Sequence, residues 1–142
     1  RSLHACPAPA KLNLFLHVVL DKWWTDTVKP RLKRQGELIR YADDAVMVFE
    51  TERDARRVYD VLPKRFARFH LELHPEKTRL VRFQRPLPRD NPSRETRPET
   101  FDFLGFTHFW SRNRRGRGFV LRRKPLATDS AEPSVHMGMV SV

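Results

Sequence analysis

The stretch Leu38-Ile39-Arg40-Tyr41-Ala42-Asp43-Asp44-Ala45-Val46-Met47-Val48-Phe49 decides the fold. Two short apolar runs flank a pair of adjacent carboxylates. Runs of this length and composition read as strands, and the acids then stand at the tip of a β-hairpin. Two like charges side by side repel, so the pair is poor as plain structure. It suits a divalent cation, because carboxylate oxygens are the donors that Mg²⁺ takes. Asp is also common wherever a chain reverses, and the pair alone leaves a plain turn open.

Upstream of the hairpin, Leu12, Phe15, Leu16, Val19, Leu20 and Trp23 recur at the spacing of one helix face. Pro30 ends that helix, Gln35-Gly36 turns the chain, and the strand Glu37–Tyr41 begins. Downstream, Thr51 opens a second helix, with Asp54 three residues on in a capping-box arrangement. Its apolar stripe is Ala55, Val58, Tyr59, Leu62, Phe66 and Phe69, and Pro63 inside it is expected to kink or weaken the helix. Leu71 and Leu73 alternate as a short strand does, and Thr78–Phe83 predicts another. Residues 84–100 are rich in Pro and charge and predict a loop. Phe101–Trp110 is strand-like, Ser111–Gly118 a basic turn, and Phe119–Leu121 pairs back. Residues 1–8 read as irregular, and 125–142 as a disordered tail. The order helix, hairpin, helix, strands, hairpin is that of an α+β domain, with helices packed on one face of a small, mainly antiparallel sheet.

The 142 residues suffice for one modest domain. A formal net charge of +11 points to a polyanion, most directly nucleic acid. The one cysteine, Cys6, allows no internal disulfide. The longest apolar run, Leu14–Leu20, is too short to span a membrane and contains His17. No signal-peptide pattern precedes Lys11. No membrane association and a cytoplasmic setting are expected.

Other residues carry possible chemistry. Lys77, in His74-Pro75-Glu76-Lys77-Thr78, suits a phosphate or a leaving oxygen, or else it is a solvated partner of Glu76. His70 and His74 have the spacing of a helical metal pair, but Pro75 and the alternation between them argue against a helix, and no third ligand is evident. Arg112, Arg114, Arg115, Arg117, Arg122, Arg123 and Lys124 form a basic stretch without one acid, flanked by Trp110 and Phe119. Guanidinium groups bind phosphate and aromatic rings stack on bases, which favours nucleic acid over a merely solvated hairpin. Gly105, in Phe103-Leu104-Gly105-Phe106, offers a close backbone approach to a ligand, or simply a bulge.

Together these segments resemble the palm domain of a group II intron reverse transcriptase/maturase. Tyr41-Ala42-Asp43-Asp44 matches the family's YADD motif. Leu73–Thr78 is similar to the lysine motif that follows it, Phe103–Phe106 to the primer grip, and Leu14–Asp21 to the palm helix before the hairpin. The resemblance runs from about Pro9 to about Lys124. It implies a partial palm over residues 9–124 and RNA-directed DNA synthesis by two Mg²⁺ ions. Asp43 and Asp44 would be metal-site carboxylates, Tyr41 would pack beside the primer end, Lys77 would act near the triphosphate, and Gly105 would lie along the primer. Arg112–Lys124 would hold RNA template, intron RNA or DNA primer.

The family's third carboxylate lies on a palm strand before the point where this sequence starts. The fingers, the thumb and the Gln-Gly motif are missing as well. The chain is therefore expected to be a polymerase fragment, inactive alone, with a complementing polymerase fragment among its expected partners. The alternative is a non-catalytic, basic RNA-binding module of maturase type.

Overall fold

The computed structural model describes residues 9–42, 44–73, 76, 78–89, 98–126 and 136–141. The chain opens with α1 (Pro9–Leu16) and continues in π-helical winding through His17–Lys22 and Trp24–Val28. A 3₁₀ turn at Lys29–Arg31 contains Pro30, and Leu32 is already extended. The helix therefore stops where proline forbids further i→i−4 bonding. Its buried side is Leu16, Val19, Leu20, Trp23, Trp24 and Val28, the expected stripe carried one turn further. Phe15 of that stripe is exposed, but its ring meets Phe69 edge-on at 5.9 Å.

The hairpin forms as its alternation predicts. β1 (Gly36–Tyr41) and β2 (Asp44–Phe49) pair antiparallel, with Gly36 opposite Phe49 and Tyr41 opposite Asp44. Gly36 has a steric reason to lack a side chain: a Cβ there would sit 2.6 Å from Leu32 Cδ1 and 3.3 Å from the Val48 carbonyl oxygen.

α2 (Glu52–Ala67) starts at Thr51, whose side chain accepts a hydrogen bond from the Asp54 amide. Ala55, Val58, Leu62 and Phe66 are buried along it. The helix runs on through Pro63, which is exposed, so the missing amide bond falls on the solvent side. Leu71 and Leu73 do not form the expected strand. The Leu71 amide closes the helix end on the Phe66 carbonyl, and both leucines pack against the core as irregular chain.

β3 (Thr78–Arg82) follows, then β4 (Phe101–Phe103), β5 (Phe106–Arg112) and β6 (Phe119–Pro125). β4, β5 and β6 make a three-stranded antiparallel sheet. The expected single strand Phe101–Trp110 is thus divided. Leu104 and Gly105 both have positive φ, 52° and 75°, which is the two-residue turn that suits a twisted hairpin.

Of the stretch 125–142, read as a disordered tail, residues 127–135 and 142 lie outside the described residues, while His136–Ser141 is a strand, β7. It enters the larger sheet in the order β1-β2-β7-β3, parallel to both neighbours. β2 and β3 are joined by α2 and run the same way, with room for one strand between them. Their facing edges leave amides and carbonyls that a third strand satisfies, and that backbone pairing accounts for a strand where apolar mass is sparse.

The core lies on both faces of β2. Ala45, Met47 and Phe49 pack under the helices, with Trp24 edge-on to Phe49 at 5.7 Å. Val46 packs the other way, with Val81, Phe83, Phe101, Phe103 and Trp110. The molecule is α+β, with helices on one face of the hairpin sheet and the small antiparallel sheet on the other.

Candidate functional site

The hairpin tip is built by a two-residue connection between Tyr41 and Asp44, and Ala42 takes the left-handed conformation at φ 53°. Asp44 is half-buried, and Tyr41 beside it is 69% exposed, so its ring is presented outward. Strand alternation puts Asp44 on the face of Val46 and Val48, away from the helices. Asp43 and Lys77 lie outside the described residues, as does His74. Thr78, which opens β3, stands at the same end of the sheet as Asp44. Two strand spacings, about 10 Å, separate β3 from β2 there. Among the described residues no group of three or more His, Cys, Asp or Glu gathers. Adjacent carboxylates suit one cation that keeps most of its waters. A full two-ion ligand set is not found among the described residues.

Arg40, which precedes the tip, lies on the helix-facing side of β1 with Leu38. Its Nε and Nη2 donate to the two carboxylate oxygens of Asp21 at 2.7 and 2.8 Å. Its Nη1 donates to Asn13 Oδ1 at 3.0 Å and to the Ala42 carbonyl at 2.6 Å. His17 Nδ1 lies 3.1 Å from Asp21 Oδ2. Burial alone would raise the Asp21 pKa. The Arg40 and His17 hydrogen bonds and charges outweigh it and hold the carboxyl below its ordinary value. The sequence reading passed over this cluster. Its signal is a charged residue within an apolar strand, matched by an acid on the preceding helix.

At the far end of the sheet, Asp54 is buried, and its Oδ2 accepts the Lys33 and Arg34 amides at 3.0 and 3.1 Å. Its carboxylate therefore ties down the loop before β1 rather than closing a capping box.

The basic stretch is the β5–β6 hairpin. Arg112, Arg114, Arg115, Arg117, Arg122, Arg123 and Lys124 are all exposed. The Asn113 side chain accepts the Arg117 amide at 3.0 Å, and the Asn113 amide donates to the Gly118 carbonyl at 2.9 Å, which fixes the turn. Several cations lie over rings: Arg112 over Phe119 at 5.2 Å, Arg123 over Phe106 at 5.0 Å and Lys124 over Phe109 at 6.0 Å. The two flanking aromatics are used internally. Phe119 is buried, and Trp110 stacks on Phe83 at 5.4 Å with Arg85 over it at 6.0 Å. Of the aromatics singled out, only Tyr41 offers an open face. Gly105 serves the β4–β5 turn, and its carbonyl accepts the Leu126 amide at 2.9 Å. A Cβ built on Gly105 would meet nothing within 4 Å.

The basic turn and the acid tip belong to separate sheets. Among the described residues no helix is long and apolar enough to cross a membrane.

No curated protein and no solved structure matches the chain. A family model described as reverse transcriptase (RNA-dependent DNA polymerase) matches residues 6–108. That span holds the helix, the acid hairpin, α2, β3 and the Leu104-Gly105 turn, and it stops before the basic turn, β6 and β7. With most of its length inside that match, the chain belongs to the reverse transcriptase family.

Proposed function

We propose that this chain is the hairpin-bearing part of an RNA-directed DNA polymerase of the group II intron type, and that it does not polymerise alone. The observation that carries the reading is the Tyr41–Asp44 pair closing a two-residue tip at the end of a sheet packed on both faces. Rigid positioning of a carboxylate is available there. Asp43 and Asp44 would hold Mg²⁺, which supplies Lewis-acid stabilisation of phosphate charge when bound. Tyr41 would pack beside the primer terminus, and Lys77 would meet the triphosphate. Gly105 would lie near the primer backbone, where no side chain intervenes. A two-ion site needs ligands beyond these.

The assay is extension of a DNA primer on an RNA template with the purified chain and Mg²⁺. No product is expected. Extension that Asp44→Ala abolishes would overturn the claim that the chain is incomplete.

A second reading is a non-catalytic RNA-binding module. It is supported by seven exposed cations on one hairpin, which lies largely beyond the family match. Binding of a labelled single-stranded RNA is expected to weaken with salt, each phosphate contact contributing about −0.7 to the log–log slope. Replacing Arg114 and Arg115 by Gln should make that slope shallower by about 1.4. Asp44→Ala should leave it unchanged. Absence of binding at low salt would sink this reading.

A further inference from the structure

The tip of the hairpin holds a conformation that its own sequence does not favour. Ala42 sits at φ 53°, where the Cβ of an L-residue crowds the following carbonyl oxygen. Asn, Asp or Gly would ordinarily occupy such a position. Beyond the Tyr41–Asp44 pairing that closes it, the turn receives, among the described residues, the 2.6 Å bond from Arg40 Nη1 to the Ala42 carbonyl.

That guanidinium is itself immobilised. Asp21 takes Nε and Nη2 in a paired, fork-to-fork arrangement at 2.7 and 2.8 Å. Asn13 takes Nη1 at 3.0 Å. Asn13 and Asp21 stand on the helical run that precedes β1, so the helix reaches the turn through one side chain. The Arg40 side chain is largely shielded, at 15% exposure, and that of Asp21 is 27% exposed. Solvent therefore screens this pair less than a surface pair. A planar fork can satisfy two carboxylate oxygens and a carbonyl together, whereas a lysine ammonium on a flexible stem cannot reproduce that geometry.

We propose that Arg40 is the positioning residue of the acid tip: braced by Asp21 and Asn13, it sets the left-handed turn that leads into Asp44. The metal-binding consequence rests on the function proposed above, whereas the ordering of the turn does not. Arg40 touches neither the metal nor a substrate in this account. It acts through the Ala42 carbonyl. Without the brace the turn would sample other conformations, and Asp44 would meet a cation in one geometry only part of the time.

The test uses the whole chain, labelled with ¹⁵N, as wild type, Arg40→Lys and Asn13→Ala. The first readout is backbone order at Ala42 and Asp44, with Met47 in the middle of β2 as the reference. Arg40→Lys is expected to lower the order parameters of Ala42 and Asp44 from about 0.85 toward 0.6 and to leave Met47 in the rigid range. Asn13→Ala removes one of the supports and should give a smaller drop at the same two residues. It also keeps the test open should Arg40→Lys fail to fold. Uniform loosening, or no change at Ala42 and Asp44, would overturn the proposal.

The second readout is Mn²⁺ affinity, followed by loss of the free-ion paramagnetic signal. About tenfold weaker binding is expected in Arg40→Lys, and binding is expected to be lost in Asp44→Ala. If wild type takes up no Mn²⁺ while the order parameters still fall in Arg40→Lys, the metal reading of the tip fails and the positioning role stands. If Mn²⁺ binds equally to wild type and Arg40→Lys, Arg40 does not position the acids.

Discussion

Replacing Asp54 tests how the loop before the acid hairpin is held. The residue is 2% exposed, and its Oδ2 alone receives the Lys33 and Arg34 amides. Hydrogen bonds to a charged acceptor contribute about 1.5–3 kcal/mol each. Both donors belong to a surface loop that water can reach once the carboxylate is gone, so the lower end applies, giving about 3 kcal/mol for the pair. Against this, Oδ1 is buried with no partner among the described residues, and its removal returns about 1 kcal/mol. The net expectation for Asp54→Ala is a loss of about 2 kcal/mol. With unfolding entropy near 2.1 cal/mol/K per residue, that lowers the Tm of a 142-residue chain by about 7 °C. Asp54→Asn keeps one acceptor oxygen and should lose about half as much. Thermal unfolding followed by circular dichroism measures both, and amide exchange at Lys33 and Arg34 should rise in Asp54→Ala alone. A Tm for Asp54→Ala within about 1.5 °C of wild type would refute the assignment of the loop's anchorage to this carboxylate.

Three further outcomes are expected. The Asp21 carboxyl has a folded pKa below its unfolded value, so its stabilisation is complete above about pH 4 and is lost as pH falls through the lowered value. Urea midpoints between pH 6 and pH 2.5 should fall in that acid range, and less so in Asp21→Asn. Gly105→Ala meets no neighbour within 4 Å, but at φ 75° it should lose about 1 kcal/mol of stability from backbone strain alone, read as a Tm lower by about 3 °C. Truncation after Leu126 removes β7 and opens the facing edges of β2 and β3, and the cooperative unfolding transition should disappear from calorimetry. A truncated chain with the full-length midpoint would show that β7 does not support the sheet.

The parts of this fold that depend on near neighbours in sequence were legible. Alternation around Asp43-Asp44 specified the hairpin to within a residue at each end, because strand faces repeat every two residues. The α2 stripe and the Thr51 cap followed from helix geometry in the same way. Misreadings arose where the partner is remote. Asp54 looked like half of a capping box because the amides it binds lie twenty residues earlier. Arg40 drew no reading because its acceptors sit 19 and 27 residues upstream. The strand within 136–141 was hidden for a related reason: its own composition asks for little, and the demand for it comes from the edges of β2 and β3. Trp110 and Phe119 were read as surface rings because nothing local says that Phe83 and Arg112 already cover them.

The position of β7 has a consequence for how the chain is made. Synthesis releases β2 and β3 well before the strand that joins them. From residue 82 to residue 141 a ribosome adding about 5–20 residues per second takes roughly 3–12 s. Throughout that interval the centre of the larger sheet presents two unpaired edges, each backed by apolar side chains from Val46 and Val81. Such edges recruit any extended segment within reach, a neighbouring nascent chain included. The yield of native protein should therefore depend on translation speed and on chaperones that shield strand edges, even at expression levels where the finished molecule stays in solution.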